Sequence, residues 1–307
     1  MKTSILLVIG ISCSFFSFSQ SIIVLDSVTK EAVPFTAIKT GKNTGFYTSV
    51  KGVLQKHLIH NVMDTIHLSA IGYKEKKYVL QNSKQNDTLW LVPKIEQLNE
   101  VLVSATKYKV TTLGYANKKQ RLTWNINQKS KLATLLKPQK QIGRNKIKSI
   151  RIPIDKQRMR KTKEGWNKHT EKFSSVFRLH VYSVKAELPD KNVLSKPLLI
   201  YCNDDADDIL NIDISEEHIE FKQEGIFLIL EMIGELDTNQ NIVNVENPLP
   251  GFKFTNKKTK DFVSKSFYKS VFTDDDWKNI KEDRHFSFLG ANNFNLAIGL
   301  VLNLYED

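Results

Sequence analysis

Short strand-like segments separated by turn residues make up the chain from Ser21 to Tyr73. The segments SIIVLD, VPFTAIK, GFYTSV, VLQKHLI and DTIHLSAIGY are six to ten residues long, and Gly, Asn, Lys or Asp residues bound them. Runs of this length, rich in β-branched and aromatic residues, are typical of the strands of a β-sandwich. The spacing therefore predicts an all-β fold for this part of the chain.

The first domain reaches its last strand in the segment DTLWL. Pro93 ends this strand, because proline cannot donate a hydrogen bond to a sheet and fixes its own backbone angle. Apolar residues resume in LNEVLVSAT, Leu98 to Thr106, and lysines follow. We expect the first domain to occupy residues 21–106.

Several residues of this domain carry a resemblance to a known family. They are Asp26, Thr29, Glu31, Ala32, Val33, Pro34, Gly52, and the segment DTIHLSAIGY that ends at Gly72 and Tyr73. Together they resemble the carboxypeptidase regulatory-like domain, a transthyretin-like sandwich common in exported proteins of Bacteroidetes-type bacteria. The segment LNEVLVSAT is similar to the one that follows this domain in TonB-dependent receptors, although only about 200 residues remain after it, which disfavours a transporter. The resemblance implies an accessory sandwich without catalytic activity of its own.

The first twenty residues have the layout of a secretory signal peptide. Residues 1–20 contain Lys2, an apolar run from Ile5 to Phe18, and small residues before Gln20. A membrane anchor is disfavoured because the run is shorter than the ~20 apolar residues that span a bilayer. A lipoprotein signal at Cys13 is disfavoured because the apolar run continues past that cysteine. We therefore expect an exported protein of the periplasm or the outer membrane.

Loss of that segment leaves Cys202 as the lone cysteine, so no disulfide can form within the chain. Stability must then come from packing alone. Cys202 follows an apolar run, which predicts a buried strand residue rather than a reactive thiol.

Charge is distributed very unevenly along the sequence. Residues 105–175 hold 20 Lys and Arg against 3 Asp and Glu, whereas residues 176–250 hold 5 against 15. One interpretation is an anionic partner, such as a charged surface or polymer, bound by many weak contacts. The cations that would face it are Lys146, Lys148, Arg151, Arg158, Arg160, Lys161 and Lys163. The other interpretation, which is the commoner meaning of a charge run, is that the cations are solvated or neutralise the acidic half. Nucleic acid is disfavoured because the segment has no helix-turn-helix or RNA-binding aromatic motif.

The basic run also suggests a domain boundary. Residues 107–140 are expected to form a basic linker with a short helix from Ser130 to Lys137, since Pro138 would end such a helix. The polar interval from Asp155 to Lys172 is expected to be a long loop.

A second β-sandwich, of jelly-roll type, is predicted over residues 141–307. In FSSVFRLHVYSV, alternation places Phe177, Leu179 and Val181 on one face of a strand and Arg178 and His180 on the other. The nearly unbroken apolar run GIFLILEMI is typical of a central strand that is buried on both faces.

Candidate sites are few. The tract from Asn203 to Asp208 is rich in the oxygen ligands that calcium prefers, yet it lacks the spacing of a helix-loop-helix calcium loop, and a solvated turn between two strands explains it more simply. There is no G-x-S-x-G motif and no glycine-rich phosphate loop. We therefore expect no catalytic, cofactor-binding or metal residues and an exported, non-catalytic binding or scaffold protein with an unidentified protein partner. The alternative is a hydrolase that uses Asp204, Asp205, His180 or His218 from loops of the second sandwich.

Overall fold

The computed structural model describes residues 21–59, 65–80, 87–94, 107–115, 122–273, 275–282 and 293–306. The segment 1–20, predicted to be a signal peptide, and the segment Leu98 to Thr106 lie outside the described residues. Helical structure in the described ranges is limited to two short 3-10 turns, Lys56–Ile59 and Ser215–Glu217. The prediction of an all-β fold is confirmed. The chain divides into two compact units: the first extends to Pro93 but leaves out Lys42–Thr44, and the second comprises these three residues and the chain from Lys94 onward.

The first unit consists of two sheets. Its strands are β1 (Ser21–Asp26), β2 (Ala37–Lys39), β3 (Gly45–Tyr47), β4 (Val53–Gln55), β5 (Thr65–Ser69), β6 (Lys76–Val79) and β7 (Asp87–Leu91). One sheet has the order β4-β1-β7 and the other β3-β2-β5-β6. Strand β1 runs antiparallel to β4 and parallel to β7.

Alternation along these strands builds the core of the first unit. Ile22 and Val24 of β1 join Leu89 and Leu91 of β7 in one buried cluster, because every second side chain of a strand points to the same face. The turn before β4 contains Gly52 at φ +70°, where a Cβ atom would lie 2.6 Å from the Val24 carbonyl oxygen. Only glycine fits this position without a backbone shift.

The second unit is larger and contains seventeen described strands. They are β8 (Tyr108–Gly114), β9 (Leu122–Trp124), β10 (Ser130–Pro138), β11 (Asn145–Asp155), β12 (Gln157–Thr162), β13 (Gly165–Thr170), β14 (Ser174–Lys185), β15 (Leu188–Asn192), β16 (Leu198–Asn203), β17 (Ile209–Asp213), β18 (Ile226–Leu236), β19 (Ile242–Val243), β20 (Gly251–Thr255), β21 (Phe262–Ser270), β22 (Lys278–Asn279), β23 (Asn295–Leu296) and β24 (Gly299–Tyr305).

Two antiparallel sheets of the second unit enclose its core. The eight-stranded sheet has the order β15-β14-β18-β10-β21-β22, with β16 also paired to β14 and β19 to β18. The seven-stranded sheet has the order β23-β20-β11-β24-β8, with β17 also paired to β11 and β9 to β20. Phe177 of β14 and Phe252 of β20 meet edge to face with ring centroids 5.5 Å apart, so residues of the two sheets pack directly on each other.

Strand β18 is the centre of the eight-stranded sheet, as its apolar sequence predicted. All of its residues from Ile226 to Leu236 are buried, so the prediction of burial on both faces is confirmed. Even-numbered residues such as Leu228 and Leu230 enter the sandwich core, whereas Phe227 and Ile229 join a second cluster with residues of β10 and β21.

The expected helix from Ser130 to Lys137 is wrong. These residues form β10, which lies between β18 and β21 and pairs with β18 from Ser130 to Leu136 and with β21 along its whole length. Leu132, Leu135 and Leu136 have a helical spacing, but burial on both sides of a sheet overrides that local preference. The expectation of a basic linker over residues 107–140 is also wrong, because β8, β9 and β10 are strands of the two sheets of the second unit.

The expected loop from Asp155 to Lys172 is also corrected. It contains the hairpin of β12 and β13, whose strands pair with each other in full register. Sequence alternation did not reveal these strands because most of their side chains are polar and exposed.

Candidate functional site

Three side chains donate hydrogen bonds to Asp155, which lies at the end of β11. Its Oδ2 atom accepts hydrogen bonds from Lys168 Nζ at 2.8 Å, Lys253 Nζ at 2.8 Å and Thr123 Oγ1 at 3.0 Å. Burial alone would raise the pKa of Asp155, but the bonds from Lys168 and Lys253 hold it far below its ordinary value. The carboxylate is therefore ionised at all ordinary pH values and ties three strands to β11.

A polar cleft of about 350 Å³ opens beside this carboxylate. It is lined by Pro153, Ile154, Asp155, Lys156, Gln157, Thr170, Asp208 and Lys253. The volume lies at the lower end of the range for small-ligand sites. Gln157 and Thr170 are exposed and pair across the hairpin, and neither side chain makes a hydrogen bond within the described part of the chain.

Lys156 connects the cleft to the acidic tract from Asn203 to Asp208. Its Nζ atom donates to the carbonyl oxygens of Asp204 at 2.9 Å and Ala206 at 2.7 Å, and it lies 3.8 Å from Asp208 Oδ1. Two main-chain carbonyl oxygens of this tract and one of its carboxylates thus lie around a lysine ammonium. Within the described ranges, no three His, Cys, Asp or Glu side chains are placed to hold a metal ion.

Arg158 anchors the hairpin of β12 and β13 instead of facing a partner. It is 6% exposed, and its guanidinium lies 2.6 Å from Glu235 Oε1 and 3.2 Å from Glu171 Oε2. It also donates to the carbonyl oxygens of Glu246 at 3.1 Å and Asn247 at 2.7 Å. The expectation that Arg158 faces an anionic partner is therefore wrong, because all of these acceptors are internal.

The other cations of the hairpin are exposed. Arg160 is 59% exposed and lies 2.5 Å from Glu171 Oε1, and Lys161 and Lys163 are also exposed. Residues 157–172 hold six Lys and Arg against two Glu. The hairpin is thus an anchored, cationic element whose strands pair with no other described strand.

The remaining predicted cations lie elsewhere. Lys146, Lys148 and Arg151 belong to β11, where they are partly buried. The expected basic surface is therefore divided between β11 and the hairpin. Part of the run also neutralises the acidic half, as the second interpretation held: Lys131 pairs with Glu231, as Arg158 does with Glu235.

The four residues considered for hydrolysis do not form one site. His180 is 3% exposed on β14, with Nε2 2.7 Å from Glu231 Oε2. His218 is exposed after the turn Ser215–Glu217, and Asp204 and Asp205 lie in the turn after β16. Asn203 pairs with Ser174 of β14, six positions from His180, which separates the acids from the imidazole by about 20 Å.

Cys202 lies in β16 opposite Ser175 and is buried. Burial raises the pKa of its thiol to about 11. The expectation of a buried strand cysteine is confirmed.

Sequence reasoning missed Asp155, Thr123 and Lys253. One signal was available, because Asp155 is one of only three acids in residues 105–175. An isolated acid within a basic run attracts several cations, as Asp155 and Glu171 both do here.

Comparison with known proteins identifies no family. No protein-family model matches the chain, and no curated protein matches it. A solved structure of the cysteine protease and lectin-like domains of Cwp84, a surface layer associated protein of Clostridium difficile, is similar at 9% identity and a TM-score of 0.33, covering 57% of this chain and 32% of that one. The clostridial cysteine protease Cwp84 after propeptide cleavage is similar at 10% identity and a TM-score of 0.35, covering 64% and 40%. These values carry no inference about activity or ligand. Within the described residues, no helix has the length and apolar character needed to cross a membrane.

Proposed function

We propose that this chain is an exported, non-catalytic binding protein of the periplasm or outer-membrane surface, and that its second unit holds an anionic partner through the hairpin of β12 and β13. The observation that carries the proposal is that the buried Arg158 anchors a hairpin whose cations Arg160, Lys161 and Lys163 are exposed. The layout of residues 1–20 supports export.

Anchoring makes the hairpin suited to binding. The four hydrogen bonds of the Arg158 side chain fix the base of β12, so little conformational entropy remains to be lost when a partner binds. Each exposed cation contributes about 1 kcal/mol close to an anionic surface, so affinity must come from several together. Phosphate or carboxylate groups on the partner supply the opposite charge.

The test compares two triple variants. The hairpin variant removes three cations of the hairpin through Arg160→Gln, Lys161→Gln and Lys163→Gln. The control variant removes three exposed cations elsewhere in the second unit through Lys185→Gln, Lys196→Gln and Lys222→Gln. Binding to phosphatidylglycerol vesicles and to a uronic acid polymer is measured between about 0.1 and 1 M salt, where the Debye length falls from about 10 to about 3 Å.

The hairpin variant should lose at least about tenfold in affinity with an unchanged melting temperature. The control should lose far less, and binding of the unmodified chain should weaken steeply with salt. Equal losses in both variants, or no binding of either probe, would overturn the proposal.

A further inference from the structure

The cleft and one face of the hairpin form a continuous surface. Residues 157, 159 and 161 of β12 point to the same side, because side chains alternate along a strand. Cross-strand pairing adds Thr170 opposite Gln157 and Lys168 opposite Met159. The face therefore begins with the two cleft residues Gln157 and Thr170 and continues through Met159 and Lys168 to Lys161, about 13 Å further along the strand.

The chemistry of this face changes along its length. The cleft end offers the amide of Gln157 and the hydroxyl of Thr170, neither hydrogen-bonded to a described residue, beside the ammonium of Lys253. Met159, which is 37% exposed, supplies an apolar contact in the middle, and Lys168 and Lys161 supply charge. A chain of acidic sugars, in which each ring carries hydroxyl groups and one carboxylate, matches this spatial order of polar, apolar and cationic groups.

A cleft of about 350 Å³ has room for one sugar-sized unit. The charge in and beside it favours an anion, because three ammonium groups, those of Lys156, Lys168 and Lys253, stand against the two carboxylates of Asp155 and Asp208. A flat bilayer surface would meet the exposed tip of the hairpin but would not fill a cleft at its base.

We propose that the anionic partner is an acidic polysaccharide, that one uronic acid unit occupies the cleft, and that the following units lie along the hairpin face. This inference rests on the proposed function, since it names the partner of the same hairpin. The cleft residues Gln157 and Thr170 hydrogen-bond the unit, and Lys168 and Lys253 attract its carboxylate.

The test uses oligouronates of one, two, four and six units, with neutral glucose oligomers of equal length as controls, and calorimetry as the readout. The monomer should bind weakly in the cleft, and affinity should rise with length as units reach Lys161. The double variant Gln157→Ala and Thr170→Ala should lose at least about tenfold for every length. The pair Lys161→Gln and Lys163→Gln should weaken only the longer oligomers.

Two further variants keep the result interpretable. Thr112→Ala with Asn256→Ala changes exposed polar residues that do not line the cleft, and it should bind as the unmodified chain does. Gln157→Glu keeps the side-chain size and adds a negative charge, so it should abolish monomer binding without lowering the melting temperature.

The outcomes separate the two proposals. Vesicle binding without oligouronate binding overturns the polysaccharide inference and leaves the anionic-partner proposal standing. Oligouronate binding that is unaffected by the cleft variants also overturns the inference. Equal binding of neutral and acidic oligomers overturns both.

Discussion

His180 Nε2 lies 2.7 Å from Glu231 Oε2, on the side of the eight-stranded sheet that faces away from the sandwich core. Both residues are almost fully buried, and Glu231 also pairs with Arg178 at 3.0 Å and Lys131 at 3.2 Å. His180 Nδ1 is buried without a hydrogen-bond partner within the described ranges. Burial lowers the pKa of His180 to about 4, so the imidazole is neutral and donates its Nε2 proton to the carboxylate.

Stability should fall as the pH decreases from about 6.5 to about 4. In the unfolded chain His180 takes up a proton near pH 6.5, whereas in the folded chain it resists protonation until about pH 4. The unfolded state therefore binds more protons in this window, and up to about 3 kcal/mol of stability is lost. Calorimetric melting of the unmodified chain and of His180→Gln at pH 7.5, 5.5 and 4.5 measures the loss. An equally steep pH dependence in His180→Gln would contradict this assignment.

Removal of Glu231 should destabilise the second unit severely. Glu231→Ala leaves the buried Arg178 without its carboxylate at 3.0 Å, and breaking a buried ion pair from one side costs about 3 to 5 kcal/mol. The matched control is Glu216→Ala, whose side chain is 89% exposed and should change stability by less than about 0.5 kcal/mol. Urea denaturation of both variants measures the difference, and similar midpoints would disprove the structural role of Glu231.

Arg158→Lys should loosen the hairpin although charge is conserved. A lysine cannot reproduce the separate bonds that Nε, Nη1 and Nη2 of Arg158 make to side-chain and carbonyl oxygens. Trypsin should cut residues 157–172 faster in this variant than in Arg160→Lys, because Arg160 is largely exposed. Mass spectrometry of early fragments detects the cleavage. Indistinguishable rates in the two variants would count against the anchor.

The edge-to-face pair of Phe177 and Phe252 should be coupled across the sandwich. Phe177→Ala should cost about 3 to 5 kcal/mol, since the side chain is fully buried. A double-mutant cycle with Phe252→Ala should give a coupling of about 0.5 to 1.5 kcal/mol for rings 5.5 Å apart. Val263→Ala, at an exposed position of β21, is the control. Additive effects of the two phenylalanines would show that the sheets do not pack through this contact.

The first unit should fold by itself as residues 21–93, because the chain divides after Pro93 and the unit has its own buried cluster. A cooperative thermal transition followed by circular dichroism is the expected result. The shorter fragment 21–86 lacks β7, the parallel partner of β1, and should remain unfolded. A fully folded 21–86 fragment would refute the pairing.

Sequence patterns predicted the strands that tertiary packing reinforces. The unbroken apolar run of β18 and the alternation of Phe177, Leu179 and Val181 both gave the burial that is observed. The same alternation placed His180 on the opposite face but did not reveal its burial, which involves Tyr182 of the same strand and Glu231 of the neighbouring strand β18. A pattern in one strand carries no information about the neighbours that other strands supply.

The candidate site was less accessible to sequence reasoning. Thr123, Asp155 and Lys253 come from three strands far apart in the chain and meet only through the pairing of β9, β20 and β11. Arg158 and Arg160 look alike in sequence, yet one is buried and the other exposed. Their difference depends on Glu235, 77 positions away, which no local pattern connects to the hairpin.

The parallel pairing of β1 with β7 determines when the first unit can be completed during synthesis. Strand β1 leaves the ribosome first, but its partner follows about 65 residues later, since Val24 pairs with Leu89. Non-local pairings of this kind form slowly, because the intervening loop must close before the contact is gained. The nascent chain therefore cannot complete its three-stranded sheet until Leu91 has been made, so β1 stays without its parallel partner while the intervening strands are synthesised.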